Sequence, residues 1–322
     1  MFAIQRGRQM RAVRCEQGHV HLVEVERPQG EGVRVKVAAT GICGSDLHLV
    51  SSGFPLPATL GHEIAGITEN GTPVAIEPMA VCGVCPACLS GNYNHCVLGA
   101  AAFTIGIGRD GGFADELIVP ARCLVPLPSG LAVADACLAE PLSVAVHGIA
   151  MIDLKPSDKV AVVGGGSIGL CAVAVAREVT PDVTLIARHD AQKLAGQRLG
   201  AKGEASGDYD VVIECAGTSS SMADAVRLCR NGASLLMLAT YWEGLNLPAF
   251  EVCAKELKIR SSASYARHGA VRDFDVAVAI MARNPAIASS IISHRMPLDA
   301  AVDAFAVARD RAAGAIKVVL TP

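Results

Sequence analysis

The chain has 322 residues, enough for two domains with a core each, and 51% of them are hydrophobic against 18% charged. The net charge is −3 at pH 7 and no run of five or six like charges occurs, which argues against a nucleic-acid groove or a polybasic membrane anchor. The opening stretch MFAIQRGRQMRAVRCE has no unbroken apolar core of the kind a signal peptide carries. Met10 reads as a start, leaving residues 1–9 as an extension with no part in the fold.

Up to about residue 140 the pattern is of short strands between turns. VRVKVAATGIC (33–43), ATLGHEIAGI (58–67), TPVAIEP (72–78) and FADELIVPARCLVPLP (113–128) carry β-branched residues bounded by Gly, Pro or Asn, and predict a β-rich domain with a partly open barrel character. Between these strands lie groups able to bind a metal. GICGSDLH (41–48) brings Cys43, and LGHEIAG (60–66) brings His62 and Glu63. Further on, Glu140 in LAEPLSVAVHG precedes a predicted helix. One thiolate, one imidazole and a carboxylate, with a position left open, form the pattern of a catalytic zinc.

Twelve cysteines are present. Cys15, Cys123, Cys137, Cys171, Cys229 and Cys253 stand apart among apolar or helix-patterned neighbours and are expected to be packing residues. Cys82, Cys85, Cys88 and Cys96 instead follow C-x2-C-x2-C-x7-C in a stretch bearing Gly and Pro. Four such thiolates satisfy tetrahedral zinc with no open vertex, which points to a structural ion. An iron–sulfur cluster is the rival, although the C-x3-C-P ending of the regular bacterial run is absent. Clustered thiols of this kind imply a reducing, cytoplasmic setting.

Near residue 145 the pattern becomes strands alternating with helices. KVAVVGGG (159–166) reads as a strand, SIGLCAVAVAREV as a helix, DVTLIA (182–187) as a strand and HDAQKLAGQRLGA as a helix. YDVVIECAG (209–217) is the next strand, SMADAVRLCRNG a helix closing on Gly232, and ASLLMLA another strand; GAIKVVLTP at the end is strand-like again. Continuous apolar strands in such alternation predict a doubly wound parallel sheet, and so an α/β chain. The apolar run 160–176 is about long enough to cross a bilayer, but its glycines have another purpose. Gly164, Gly166 and Gly169 form G-x-G-x-x-G, with Ser167 and Ile168 between the last two, after a strand and opening a helix. That context makes a dinucleotide pyrophosphate site. The second strand of the unit ends LIARHD, with Ala187 where an NAD enzyme carries an acid on the ribose, Arg188 and His189 directly after it, and Asp190 expected already in the following turn. A cation there favours NADP(H) over NAD(H), with Arg188 as an ordinary surface arginine the plain alternative.

The motifs GICGSDLH, GHE, the four spaced cysteines, RDGGFADE (109–116), AEPLSV, VVGGGSIGL and KVVLTP, in this order from Met10 to Pro322, resemble the zinc-containing medium-chain alcohol dehydrogenases, in the branch with sorbitol- and threonine-type enzymes. The resemblance implies a GroES-like catalytic domain over residues 1–146 and 288–322, a Rossmann domain over 147–287, and an active site in the cleft. It implies two zinc ions per chain, one catalytic and one structural. Cys43 and His62 would hold the catalytic zinc, with Glu140 where alcohol dehydrogenases proper have a second cysteine and Glu63 exchanging on and off the metal. Ser45 would bond the substrate hydroxyl, His48 would pass the proton to solvent, and Asp46 would orient His62. The implied reaction is reversible hydride transfer between a small-molecule secondary alcohol or polyol and NAD(P), in a homodimer or homotetramer. Tyr241, Trp242 and Tyr265 would line the cleft or pack a subunit interface. A zinc-independent NADPH-linked enone or quinone reductase would lack the Cys43–His62–Glu140 set, and a non-catalytic cofactor-binding protein would not need Ser45 and His48.

Overall fold

The computed structural model describes residues 9–54, 56 and 58–322; the extension expected before Met10 lies outside them except for Gln9. The chain divides into two compact units, the first comprising residues 1–140, 266–283 and 292–322 and the second residues 141–265 and 284–291.

The first unit opens with a hairpin of β1 (Gln9–Glu16) and β2 (His19–Glu26). β3 (Val33–Gly41) leads into helix α1 (Gly44–Ser52), followed by β4 (Glu63–Thr68), β5 (Pro73–Ile76), the short helices α2 (Pro86–Leu89) and α3 (Ala100–Phe103), β6 (Glu116–Val119) and β7 (Leu124–Pro126). Helix α1 starts where it does because the Cys43 N–H donates to Asp46 Oδ2 at 2.9 Å, and it stops at Gly53, whose φ of 68° is left-handed. Residues 58–62, expected as strand, are irregular, and 113–128 holds two short strands separated by a turn at Ala121–Cys123. Pro120 explains the break, since it has no N–H to continue the ladder.

The second unit begins in α4 (Ala139–Ala150), whose first residues belong to the other unit, and contains β8 (Val160–Val163), α5 (Ser167–Arg177), β9 (Val183–Ile186), α6 (Asp190–Arg198), β10 (Tyr209–Glu214), α7 (Ser219–Leu228), β11 (Cys229–Met237), α8 (Ala249–Ala254) and β12 (Lys258–Ser261). Its five strands are all parallel in the order β12-β11-β10-β8-β9. The run 160–176 is therefore strand β8 plus buried helix α5. Asp190, expected in a turn, opens α6. The helix expected to close on Gly232 ends earlier, at Leu228, and the strand begins at Cys229. Lys255 is the reason: its Nζ donates to the carbonyls of Val226, Arg227 and Cys229 at 3.0, 3.0 and 2.7 Å, which satisfies the helix end. Cys253 is exposed, so it is not the packing residue expected; the other five isolated cysteines are buried.

The chain then returns through β13 (Arg267–His268), β14 (Val271–Arg272) and α9 (Asp273–Arg283). After α10 (Ala286–Ile291), which packs on α5 and α6 in the second unit, come β15 (Ile292–Pro297), α11 (Ala301–Arg309) and β16 (Lys317–Thr321). β15 and β16 complete a seven-stranded sheet in the order β15-β16-β3-β4-β5-β7, with β6 paired to β3. Val35, Val37, Ile64, Val74, Ile76, Leu117 and Val119 fill its core, and Phe113 meets Phe305 edge-on at 5.8 Å in a second cluster.

The returning segment is fastened beside the four cysteines. Tyr93 Oη lies 2.5 Å from Glu77 Oε1 and 2.9 Å from the Ala266 carbonyl, and Arg272 Nη1 donates to Glu77 Oε2 at 3.0 Å. One phenolic proton serves two acceptors, and the shorter contact to the carboxylate takes most of it. Burial pushes the Glu77 carboxyl up, while Tyr93 and Arg272 pull against that shift. Replacing Tyr93 by Phe leaves buried Glu77 with one donor fewer. The expected loss is about 1–3 kcal/mol of stability of this unit, read by denaturant unfolding; an unchanged midpoint would show that the network contributes nothing.

Candidate active site and metal centres

Cys82, Cys85, Cys88 and Cys96 converge, their sulfurs all within 4.8 Å of one another. Pro86 opens α2 directly after Cys85, which turns the chain so that Cys88 faces back toward Cys82 at 3.8 Å. Backbone N–H groups point at sulfur: Cys85 N to Cys82 Sγ and Cys82 N to Cys96 Sγ, both at 3.4 Å. Backbone donors at Val97 and Cys88 pull the Cys85 thiol down to about 6. Four thiols with amides already aimed at them fit a tetrahedral divalent ion that leaves no vertex for substrate.

The second donor set is built on the β3–α1 junction and the start of β4. Cys43, His62 and Glu63 offer one ligand atom each within 4.8 Å of one another, and Glu140 stands outside that set. Asp46, on the first turn of α1 and 1% exposed, uses one oxygen for the Cys43 N–H; the other lies 3.3 Å from His62 Nδ1, an ion-pair distance rather than an aligned hydrogen bond. Ser45 Oγ is 3.4 Å from the opposite nitrogen, His62 Nε2. Burial disfavours charge on the imidazole, but Asp46 and Cys43 outweigh it and raise its pKa well above the usual range. Thiol, imidazole and carboxylates held this closely fit a divalent cation. His48 sits three residues beyond Ser45 on α1, half-buried.

The site also contains a residue that the sequence reading passed over. Lys317 on β16 is 2% exposed and donates to Glu63 Oε1 and Oε2 at 2.6 and 2.7 Å and to the Ile42 carbonyl at 3.0 Å. Burial works against its charge, yet Glu63, Cys43 and Glu140 together raise its pKa. A Cβ on Gly41 would overlap Glu63 Oε2, so the glycine of GICG makes room for this ion pair. The available signal was a lysine inside the apolar run IKVVL.

In the second unit the glycine turn leaves β8 and opens α5, with Gly166 as N-cap and Ser167, Ile168 and Gly169 in the first turn. A Cβ on Gly169 would overlap the Gly164 carbonyl oxygen, so helix and turn approach as only glycine permits. The turn lies where strand order reverses, between β8 with β9 on one side and β10 on the other, the place where doubly wound sheets bind ligands. The end of β9 abuts it, since a Cβ on Gly165 would come 2.7 Å from Ala187 Cβ, and Arg188 and His189 follow, exposed and half-buried. The turn after β10 flanks it from the other side, with Ala216 N 2.9 Å from where a Gly164 Cβ would be. Fully buried Glu214 fixes that turn by accepting from Ala216 N at 2.8 Å, Gly217 N at 3.0 Å and Tyr241 Oη at 2.5 Å. A turn free of side chains beside a helix N-terminus fits a dinucleotide pyrophosphate. Of the aromatics expected in a cleft, Tyr241 is engaged by Glu214, Tyr265 is buried and Trp242 is 48% exposed.

Residues 29–129 match the alcohol dehydrogenase GroES-like domain. L-galactonate-5-dehydrogenase of Escherichia coli K12 is 30% identical over 306 residues, covering 85% of this chain and 87% of that protein. Sorbitol dehydrogenase of Halalkalibacterium halodurans is 28% identical over 96% of this chain and 98% of its own. Among solved structures, a zinc-binding dehydrogenase from Sinorhizobium meliloti 1021 bound to NADP superposes with a TM-score of 0.85 at 31% identity, covering 98% of this chain and 99% of that one. A likeness that runs nearly end to end at this identity makes the chain a member of the zinc-containing medium-chain alcohol dehydrogenases, NAD(P)-linked oxidoreductases of the CH–OH group.

Proposed function

We propose that this protein interconverts a secondary alcohol or polyol and its ketone with NADP(H) as the preferred cofactor, that it holds two zinc ions, and that it works in the cytoplasm as a homo-oligomer. The observation that carries the reading is the convergence of Cys43, His62 and Glu63 beside Ser45. The polyol class is supported by the relatives named for sorbitol and L-galactonate. The clustered thiols of Cys82, Cys85, Cys88 and Cys96 suit a reducing compartment, and the exposed edge strand β12 offers a second copy an unpaired ladder.

Cys43 and His62 would be the standing protein donors of the catalytic ion, and Cys82, Cys85, Cys88 and Cys96 would hold the structural one. Zinc, when bound, supplies Lewis-acid polarisation of the alcohol oxygen and lowers its pKa. The nicotinamide, when bound, supplies the hydride acceptor. Ser45 takes the substrate proton and passes it to His48, which shares its helix face at i, i+3. Asp46 keeps the His62 Nδ1 proton and turns Nε2 toward the donor set, as a carboxylate behind a metal-bound histidine does. Glu63, gripped through both oxygens by Lys317, would be the exchangeable carboxylate donor to the ion, and Glu140 a further anionic group near Lys317. Arg188 would bond the 2′-phosphate. A zinc-independent reductase has no use for these donors, and a non-catalytic protein none for Ser45 and His48.

Metal analysis of the purified protein is expected to give two zinc ions per chain. Cys43→Ala should lose one of them and turnover with it, and keep the fold intact by circular dichroism; normal turnover without that ion would overturn the mechanism. Lys317→Met leaves Glu63 buried without its partner and should cost about 3–5 kcal/mol when zinc is removed. The zinc-loaded form should lose less, because the freed carboxylate then has a cation to bind; an equal loss in both states would disprove exchange of Glu63. With NADPH and NADH compared on one ketone, Arg188→Met should lower kcat/KM for NADPH about ten-fold or more and leave NADH unchanged. A wild-type preference for NADH would rule out the cofactor assignment.

A further inference from the structure

We propose that Ser220, on the first turn of α7, is a second determinant of cofactor choice, donating its hydroxyl proton to the same 2′-phosphate that Arg188 binds. The inference rests on the NADP(H) reading given above and concerns which other residue of this chain serves it. Arg188 follows β9 and Ser220 follows β10, and these two strand ends flank the glycine turn, against Gly165 and Gly164 respectively. Across that gap Arg188 Nη2 donates to Ser220 Oγ at 3.4 Å. The contact is longer than the usual N–H···O distance, so the guanidinium has no charged acceptor there and keeps donors to spare.

The hydrogen bonds around Ser220 leave its proton available to a ligand. Thr218 Oγ1 caps α7 by accepting from Ser221 N at 3.1 Å, and lies 3.1 Å from Ser220 Oγ. Ser221 Oγ, at 2.8 Å, is a nearer partner for the Thr218 hydroxyl than Ser220 is. With Arg188 donating to Ser220 Oγ, the serine keeps its own O–H to give, and an anion beside Arg188 is a stronger acceptor for it than the neutral Thr218 Oγ1. An anion placed against Arg188 at this edge receives one guanidinium bond and one hydroxyl bond, the first charge-assisted. A ribose with a free 2′-hydroxyl brings no charge to be met. Ser220 is exposed and lies inside a helix, so Ala there preserves the fold.

The test is titration calorimetry on the zinc-loaded protein with 2′,5′-ADP and with 5′-AMP. Wild type should bind 2′,5′-ADP more tightly. Ser220→Ala should weaken 2′,5′-ADP about five-fold or more and leave 5′-AMP unchanged, and Ser220→Thr, which keeps the hydroxyl, should restore most of the loss. Unchanged 2′,5′-ADP binding in Ser220→Ala, or equal weakening of both ligands, overturns the assignment of Ser220 while the Arg188 reading stands. A wild type that does not distinguish the two ligands removes the NADP(H) reading itself, and this inference with it.

Discussion

The buried ion pair between Lys317 and Glu63 is the constraint on which the donor site of the β-rich unit depends. Cys43, Asp46 and Glu63 gather anionic groups around one imidazole, with Glu140 acting on Lys317 beside them, and a core this dry does not hold such charge uncompensated. One cation is built into the chain, and on the proposed reading a metal ion is the other. Lys317 takes the Glu63 side and, through the Ile42 carbonyl, the end of β3; Cys43 and His62 face the remaining need. The division is physical: an ammonium is a permanent hydrogen-bond donor, whereas a metal ion can take an additional oxygen from outside.

What the sequence displayed and what it concealed follow from how far each signal extends along the chain. The four cysteines and the glycine turn were legible because their chemistry is local: short spacing brings thiols together, and a strand, three glycines and a helix occur in one run. Cys43, His62 and Glu63 could be read as donors from residue type, since β3 and β4 pair Gly41 with Glu63 and close the gap between the two motifs. Lys317 could not, because its partner lies 254 positions away and only the pairing of β16 with β3 brings them together. Glu214 was hidden likewise: an acid in VVIECAG looks like a strand end until its three donors are seen. The end of α7 was misjudged because Gly232 offered a familiar stop, while the group that ends the helix, Lys255, comes from the far side of α8.

The dinucleotide unit is trimmed relative to the usual doubly wound plan. The six-stranded order 3-2-1-4-5-6 maps onto β9-β8-β10-β11-β12 with the first position missing, and among the described residues a single bridge between Thr184 and Lys202 marks its place. Residues 200–208 cross that edge without a helix. The trimming leaves the switch point intact, because the turn needs only the strands on either side of it: β9 to place Arg188 and β10 to place Glu214 and the start of α7. A chain can therefore lose an edge strand of this sheet and keep both walls of the nucleotide site.

A comparable economy governs α1. Cys43, Ser45, Asp46 and His48 fall within six consecutive positions, so donor, hydroxyl, orienting carboxylate and the next imidazole move as one body if the helix moves. A nine-residue helix has little rigidity of its own in water, and its placement must come from outside. The C-terminal return supplies it at both ends. Val318 O accepts from Ile42 N at 2.9 Å and Lys317 holds the Ile42 carbonyl just before the helix, while Arg309 on α11 donates to Ser51 Oγ at 3.0 Å in its last turn. Two of these contacts come from cations, and the one at the C-terminal end also suits the negative pole of the helix dipole. The last twenty residues of the chain thus position the first chemical motif, which gives a physical reason for the β-rich unit to be closed by sequence from the far end of the protein.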